Sequence, residues 1–386
     1  MAEPKKKFIY NDEFKDLDQQ PDDAKFSSVW FAVYSKAISD KFYEYDEETK
    51  ALKLKFQWSG YGVVVLAVVA LSIAALEPTV LRPLAPHLPE HAVEAAAVLA
   101  ALAGIASVVM GYYGMGISDR KMHWLRNRML CERIRQWRWQ YYCAHIPEIL
   151  AASGNEAQEA EYKNKRDDEF SDFVTKLKAH DKRELQAILS EDVQEPNAVW
   201  VQPEFKGNIE LQKTLDTIEA AMHRHSKPAD EILAAYRKVR IGAQQRYAEY
   251  IVTTAGAFST HPARQKEWLH KYGVGLLLTI FGLHILVIWG ILLCPFPPQV
   301  ASVVSVSAVI LALIALGLRT VEDGLRPSEH LTRFTGYLGE VSSIAQAFDG
   351  AGSALTERNL MIALETATYK EMVNFLQAGN RSRYVM

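Results

Sequence analysis

Four long apolar windows interrupt an otherwise densely charged chain. They cover residues 58–76, 95–116, 272–294 and 300–318, and none of them contains Lys, Arg, Asp or Glu. At about 1.5 Å per residue, an α-helix of this length reaches roughly 30 Å, the thickness of the hydrocarbon core of a bilayer. In lipid, a single segment satisfies its own backbone polar groups only as a helix. The windows therefore predict four transmembrane helices in two hairpins.

The remaining sequence also has a helical pattern, and its order of parts occurs twice. Each unit has a lead helix rich in aromatic and basic residues, a span, a short tip, a second span and an exit helix. Between the units, apolar residues such as Phe170, Val174 and Leu177 recur at helical spacing. With no strand pattern, the predicted fold is an all-α integral membrane protein with a large cytoplasmic helical region. We divide it into an N-terminal tail and lead helix (1–57), a first transmembrane hairpin (58–116), an exit helix and helical insert (117–228), a second lead helix (229–271), a second transmembrane hairpin (272–318) and C-terminal cytoplasmic helices (319–386).

Composition changes this picture little. A charged fraction of 23% and a net charge of −3 would suit a soluble protein, but the averages combine the apolar windows with the charged remainder. Three cysteines are too few for a disulfide framework. The near-neutral net charge gives no global indication of nucleic-acid binding.

The cations that flank the windows predict the orientation of the spans. The connections within each hairpin are poor in cations: residues 77–94 contain only Arg82, and residues 295–299 contain no charge. Cations concentrate at the opposite ends of the windows, as Lys50, Lys53, Lys55, Arg120, Lys121, Arg126, Arg128, Arg264, Lys266, Lys271, Arg319 and Arg326. Because cytoplasmic loops are enriched in Lys and Arg, we expect both termini and the central region in the cytoplasm. The N-terminus lacks a cleavable signal pattern, so the first span is expected to be an uncleaved anchor.

The first exit helix carries the strongest candidate ligand surface. At about 100° per residue, basic and aromatic side chains share one face of it, and apolar side chains share another. Guanidinium groups pair with phosphates in a forked geometry, and aromatic rings stack on bases. We predict a nucleotide or phosphate site formed by Arg120, Trp124, Arg128, Arg135, Arg138 and Trp139. Two alternatives stay open: cations near the membrane orient the spans or contact lipid head groups, and the others pair with the acidic insert.

Few polar residues lie in or near the spans. The pore-lining candidates are Ser72, Glu94, His284, Ser302 and Ser305. Secondary transporters place ionisable groups near the bilayer midplane, and within the four windows only His284 qualifies. The alternatives are a histidine that faces a neighbouring helix, serines bonded to their own helix backbone and a solvated acid at the tip.

Catalytic motifs are absent from the sequence. It has no GxxxxGK[ST] loop, no GxGxxG turn after a strand, no HExxH pair and no GxSxG elbow. The histidines and cysteines show no metal-ligand spacing. We therefore expect no enzymatic activity, no catalytic residues, no metal and no cofactor.

Two stretches resemble the SLATT family, the SMODS and SLOG-associating two-helix membrane effectors of bacterial nucleotide-dependent conflict systems. The first stretch has the lead helix WFAVYSKAISDKFYEYDEETKALKLKFQW, a tight hairpin and the exit pattern W-L-x-x-R-x-L-x-E-R-x-R. That pattern is formed here by Trp124, Leu125, Arg128, Leu130, Glu132, Arg133 and Arg135. The second stretch has YRKVRIGAQQRY before its hairpin and LETATYKEMVNFLQ after it. Two hairpins in one chain depart from the single hairpin of the family.

The resemblance implies an effector of the bacterial inner membrane that forms a pore or disrupts the bilayer during phage infection. Its control would come from a nucleotide signal made by a partner nucleotidyltransferase. Our leading hypothesis is a homo-oligomeric four-span channel, most simply a tetramer, whose cytoplasmic helices bind the signal. A non-conducting scaffold that recruits a protein partner and a small-solute transporter are the alternatives.

Overall fold

The computed structural model of the protein describes residues 26–89, 91–190, 196–205, 213, 216–220, 226–253, 261–292, 297–382 and 384. These residues form helices and no strand, which confirms the predicted all-α class. The predicted N-terminal tail, within residues 1–25, lies outside the described residues. So do residues 293–294 at the end of the third apolar window and residues 295–296 of the second hairpin tip.

Eleven helices of the described residues are numbered here in chain order, and shorter helical turns are left unnumbered. They are α1 Trp30–Val33, α2 Lys36–Leu76, α3 Ala92–Ala144, α4 Ile146–Ala152, α5 Glu156–Leu189, α6 Lys227–Ala235, α7 Gly242–Val252, α8 Pro262–Leu292, α9 Pro298–Leu325, α10 Pro327–Asp349 and α11 Ala354–Arg381. A π-helical segment, Tyr236–Ile241, joins α6 to α7. The first hairpin tip is also largely helical, because a π segment, Glu77–Leu81, and further helical turns continue α2 as far as His87.

Local sequence signals explain several helix ends. Pro262, Pro298 and Pro327 each occupy the first position of a helix, where a backbone N–H would have no partner within the helix. Asn155 precedes α5, and its side-chain oxygen accepts a hydrogen bond of 3.3 Å from the Gln158 N–H. This is the usual way to satisfy an exposed donor of the first turn.

The chain forms two compact units. Within the described residues, the body unit consists of residues 26–50, 124–252 and 331–380, and the span unit of residues 51–123, 253–330 and 381–384. Both units contain parts of α2, α3, α10 and α11.

The span unit contains four helices that are long and apolar enough to cross a membrane. This is the architecture of a multi-pass membrane protein. Gly104 of α3 lies against Ala70 of α2, and the Ser107 hydroxyl donates a hydrogen bond of 3.1 Å to the Val63 carbonyl. Helix α8 packs along α9, so both predicted hairpins form. Gly317 of α9 lies against Val68 of α2, and this contact joins the two hairpins.

The body unit has its core around the second half of α3. Leu125, Met129 and Ile134 on that helix are completely buried. Leu364 and Leu376 of α11 are equally buried. Burial of large apolar side chains is the main stabilising term in folding, so these two helices hold the body together.

Candidate ligand cleft, ion pairs and span residues

The predicted ligand face of the exit helix lies mostly inside the body. Trp124, Arg135, Arg138 and Trp139 are buried, with Trp139 at 0% and Arg135 at 2% exposure. Arg120 is exposed. Arg128 is partly exposed, with 18% of its side chain accessible. Apart from Arg120 and Arg128, the predicted face is not an accessible surface, because its aromatic rings pack inside the body: Trp124 against Phe375, and Trp139 against Tyr236.

The buried arginines of this face have partners within the body. The Glu132 carboxylate accepts a hydrogen bond from the Arg135 guanidinium. It also forms an ion pair with Arg128, with the nitrogen and oxygen atoms 2.6 Å apart. Arg138 donates to the Val33 carbonyl at 2.5 Å. Burial acts to raise the pKa of Glu132, but Arg128 and Arg135 outweigh it and hold that pKa below its ordinary value. These side chains form structural pairs.

Other cations of the exit helix pair with the acidic insert, as one of the alternatives supposed. Arg126 donates to the Asp181 carboxylate of α5 at 2.7 Å. Arg133 forms an ion pair with Glu184 of the same helix. Asp181 is buried, and burial of a carboxylate is costly unless a charged partner is hydrogen-bonded to it.

Sequence reasoning missed an almost completely buried ion pair among the described residues of the body. Arg240, in the π-helical segment, donates to both oxygens of Glu365 on α11, at 2.9 and 3.0 Å. Both side chains are at most 2% exposed. The Tyr236 hydroxyl also donates to Glu365, at 3.1 Å, and burial raises the pKa of Tyr236 well above its ordinary value, so the hydroxyl keeps its proton. The pair joins residues 125 positions apart, and no local pattern signals it.

The two described cysteines are inert by environment. Cys131 and Cys143 are buried in the body. Burial raises the pKa of the Cys131 thiol to about 12 and that of Cys143 well above its ordinary value. Because the thiolate is the reactive form, neither thiol is poised for nucleophilic chemistry.

The body also has an open cleft of about 380 Å³ beside the break between α1 and α2. Its lining combines aromatic, basic and hydroxyl groups with one carboxylate, that of Glu159: Ser27, Trp30, Phe31, Tyr34, Ser35, Lys36, Glu159, Lys163 and Arg166. The rings of Trp30 and Tyr34 are nearly parallel, with an angle of 8° and centroids 6.0 Å apart. A volume of this size falls within the range of small-molecule sites.

Arg166 fixes the geometry of the cleft. Its guanidinium donates to the Phe31 carbonyl at 2.7 Å and to the Tyr34 carbonyl at 3.1 Å. These two carbonyls are released by the break in the helix, since Tyr34 has extended backbone angles. The Ser35 hydroxyl donates to Asp167 of α5 at 3.1 Å. The break and α5 together hold two aromatic rings next to Lys163, a combination suited to a planar ring that carries a phosphate.

The pore-lining candidates lie at separate points of the span unit. Ser72 is half-buried on α2, and Glu94 is exposed on α3. The Ser302 hydroxyl of α9 lies 3.5 Å from the Thr79 carbonyl, and Ser305 is exposed. Nδ1 of His284 lies 2.8 Å from the Ile280 carbonyl of its own helix. Ser302 thus faces another helix of the same chain, and pore lining by these residues stays a prediction.

No family model, curated protein or solved structure matches the chain.

Proposed function

We propose that the chain is a subunit of a homo-oligomeric ion channel of the bacterial inner membrane, opened by a nucleotide or oligonucleotide signal. Its opening would depolarise the cell and stop growth during phage infection, as the SLATT-like segments imply. A pore that harms its own cell has to be closed at rest, so the signal is an activator. Both termini and the body lie in the cytoplasm in this proposal, because the flanking cations favour that side.

The span helices support assembly from several copies. In each candidate span, only 6% to 17% of the apolar window is buried within the single chain. The spans therefore leave wide apolar faces for lipid and for neighbouring subunits. The four spans of one subunit are too few to enclose a wide pore, so several subunits would have to surround it. Identical subunits usually assemble with closed rotational symmetry. A tetramer is the simplest assembly.

The observation that carries the proposal is the continuity of α3. One helix, Ala92–Ala144, contains an apolar span, Ala92–Tyr112, and then the central helix of the body. Its body half includes Leu125, Met129 and Trp139, which are completely buried. Packed cores change between discrete arrangements rather than continuously. Ligand binding that repacks the body therefore acts on a helix that is also a span.

We place the ligand in the cleft beside Trp30 and Tyr34 rather than on the buried face of the exit helix. The aromatic rings offer stacking to a base, and Lys163 offers a cation to its phosphate. Lys36 also lines the cleft, but its ammonium pairs with Asp40 at 2.6 Å. The cleft adjoins the first residues of α2, which is itself a span helix. The buried arginines of α3 act through packing in this proposal.

The test uses the full chain in liposomes loaded with a self-quenching dye. We expect dye release on addition of at least one member of a panel of cyclic dinucleotides and cyclic oligonucleotides, and an oligomeric mass in detergent. Lys163→Glu should weaken the response about tenfold or more, because it places a carboxylate beside the bound phosphate. Lys165→Glu is the matched control: this lysine of the same helix is 52% exposed and pairs with Glu169.

A tight bilayer with every nucleotide, together with a monomeric mass, would reject the channel. Equal responses of the Lys163 and Lys165 variants would reject the cleft as the ligand site while leaving the channel in place.

A further inference from the structure

An aromatic side chain near the end of the described chain is inserted between two span helices. The Tyr384 ring lies between Gly60 of α2 and Gly324 of α9. A Cβ on Gly60 would lie 2.7 Å from Cε2 of the ring and closer still to Cδ2, and a Cβ on Gly324 would lie 2.7 Å from Cζ and closer still to Cε1. These separations are too short for nonbonded atoms, so both glycines are required for the ring to fit.

Two further rings complete this seat of Tyr384. Phe56 and Tyr61 of α2 approach it edge to face, with centroids 5.6 and 5.8 Å away. Edge-to-face aromatic pairs are favourable beyond the area they bury, so the seat is built to hold this ring.

The residues before Tyr384 are also fixed to the span unit. The Ser382 hydroxyl donates a hydrogen bond to the Gly324 carbonyl. Lys121 of α3 donates to the Ser382 carbonyl at 3.1 Å. Ser382 and Tyr384 therefore contact α2, α3 and α9 at the ends where, in the proposed orientation, the spans enter the cytoplasm.

The same segment is the direct chain continuation of α11, the buried helix of the body. Met372 and Leu376 of α11 are at most 1% exposed, and Glu365 joins it to Arg240. Between Leu376 and Tyr384 there are only seven residues, too few to form a slack linker. A shift of α11 would reach Tyr384 through this short connection.

We propose that Tyr384 is the latch of the channel: seated between Gly60 and Gly324, it holds α2 and α9 in the closed arrangement. Movement of α11 withdraws the ring and allows the spans to separate. This inference rests on the proposed channel function and specifies how its opening is controlled. If this is right, adding a Cβ at Gly60 or Gly324 should have the same effect on channel opening as removing the Tyr384 ring.

The experiment compares four full-length variants in the liposome assay without nucleotide: Tyr384→Ala, Gly324→Ala, the double variant, and Gly336→Ala as the matched control. Gly336 is in α10 with nothing within 4 Å of an added Cβ. We expect each latch variant to raise the basal leak about tenfold, the factor produced by a bias of about 1.4 kcal/mol. The double variant should leak no more than either single variant, because both changes remove the same contact. The control should leak like the wild type.

A second measurement tests the seat without using ion flow. Thermal unfolding in detergent should show that Gly324→Ala lowers the midpoint in the wild type but leaves it unchanged or raises it in the Tyr384→Ala background, where the space is empty. Tyr384→Phe, which keeps the ring and loses the hydroxyl, should give most of the wild-type midpoint and basal leak.

The outcomes separate the latch from the channel. If nucleotide opens the wild type while Tyr384→Ala and Gly324→Ala remain as tight as the control, the latch is wrong and the channel stands. If no variant leaks under any condition, the channel fails, and gating by Tyr384 fails with it. Additive effects of the two changes on the unfolding midpoint would overturn the seat itself.

Discussion

The buried pair of Arg240 and Glu365 gives the sharpest prediction for the stability of the body. Glu365→Leu leaves the Arg240 guanidinium, 1% exposed, without its carboxylate. Arg240→Met leaves the Glu365 carboxylate, 2% exposed, without this guanidinium, although the Tyr236 hydroxyl still donates to it. The third variant combines both changes. Only the single variants keep one charge of this pair and remove the other.

The expected magnitudes follow from this asymmetry. Removing one partner of a buried ion pair costs about 3–5 kcal/mol, whereas replacing both by apolar side chains is often close to neutral. A domain of this size loses about 2–4 °C of its unfolding midpoint per kcal/mol. Each single variant should therefore unfold about 6–20 °C below the wild type, and the double variant should recover most of that loss.

The assay is thermal unfolding of the full chain in detergent, followed by tryptophan fluorescence at one fixed heating rate, because membrane proteins often unfold irreversibly. Asp349→Asn is the matched control. Its partner Arg237 is in the same π-helical segment as Arg240, but Asp349 is 58% exposed. An exposed pair contributes less than about 1 kcal/mol, so the control should change the midpoint little. Two results would refute this prediction. One is a fall of the midpoint in Asp349→Asn as large as in the single variants of Arg240 and Glu365. The other is a double variant whose midpoint falls by the sum of the two single losses.

Three further predictions concern other parts of the body. Glu132→Gln should lower the unfolding midpoint at pH 7 and make that midpoint fall less steeply in acid. Because the folded-state pKa of Glu132 is below its ordinary value of 4.5, its carboxylate stabilises the fold fully above pH 4.5 and loses this effect as the pH falls through the folded-state pKa. A variant whose midpoint falls in parallel with that of the wild type would contradict this. Cys131 and Cys143 should resist a maleimide at pH 7 in the folded protein and react in denaturant, as mass spectrometry of the peptides will show; rapid labelling of the folded chain would disprove their burial. Asn155→Ala should cost about 1 kcal/mol by loss of the cap of α5, measured as a fall of a few degrees in the midpoint, and Asn155→Ser should restore most of it.

The four long apolar helices were predictable from the sequence because each depends on the composition of one local window. The predicted ligand face was harder to judge. Helical periodicity correctly groups Arg135, Arg138 and Trp139 on one face, but it does not distinguish an arginine that faces water from one that is paired inside a core. That distinction depends on Glu132 and on the Val33 carbonyl, and the latter is 105 positions away from Arg138.

The cleft and the latch were not predictable for a related reason. The cleft requires a break after Val33 and the packing of α5 beside it, and both depend on contacts of Arg166 with carbonyls more than 130 positions earlier. The latch requires Gly60, Gly324 and Tyr384 to meet. Each of these residues is unremarkable in its own stretch of sequence, so only the tertiary arrangement gives them a role.

The most direct test of the central claim is current recording from the purified full-length protein in a planar bilayer. We expect a quiet baseline and discrete conductance steps when the activating nucleotide is added to the side that faces the body. We also expect the same steps from Tyr384→Ala without nucleotide. A baseline that stays flat for both proteins, after insertion has been verified by protease protection, would contradict the claim that this chain forms a gated channel.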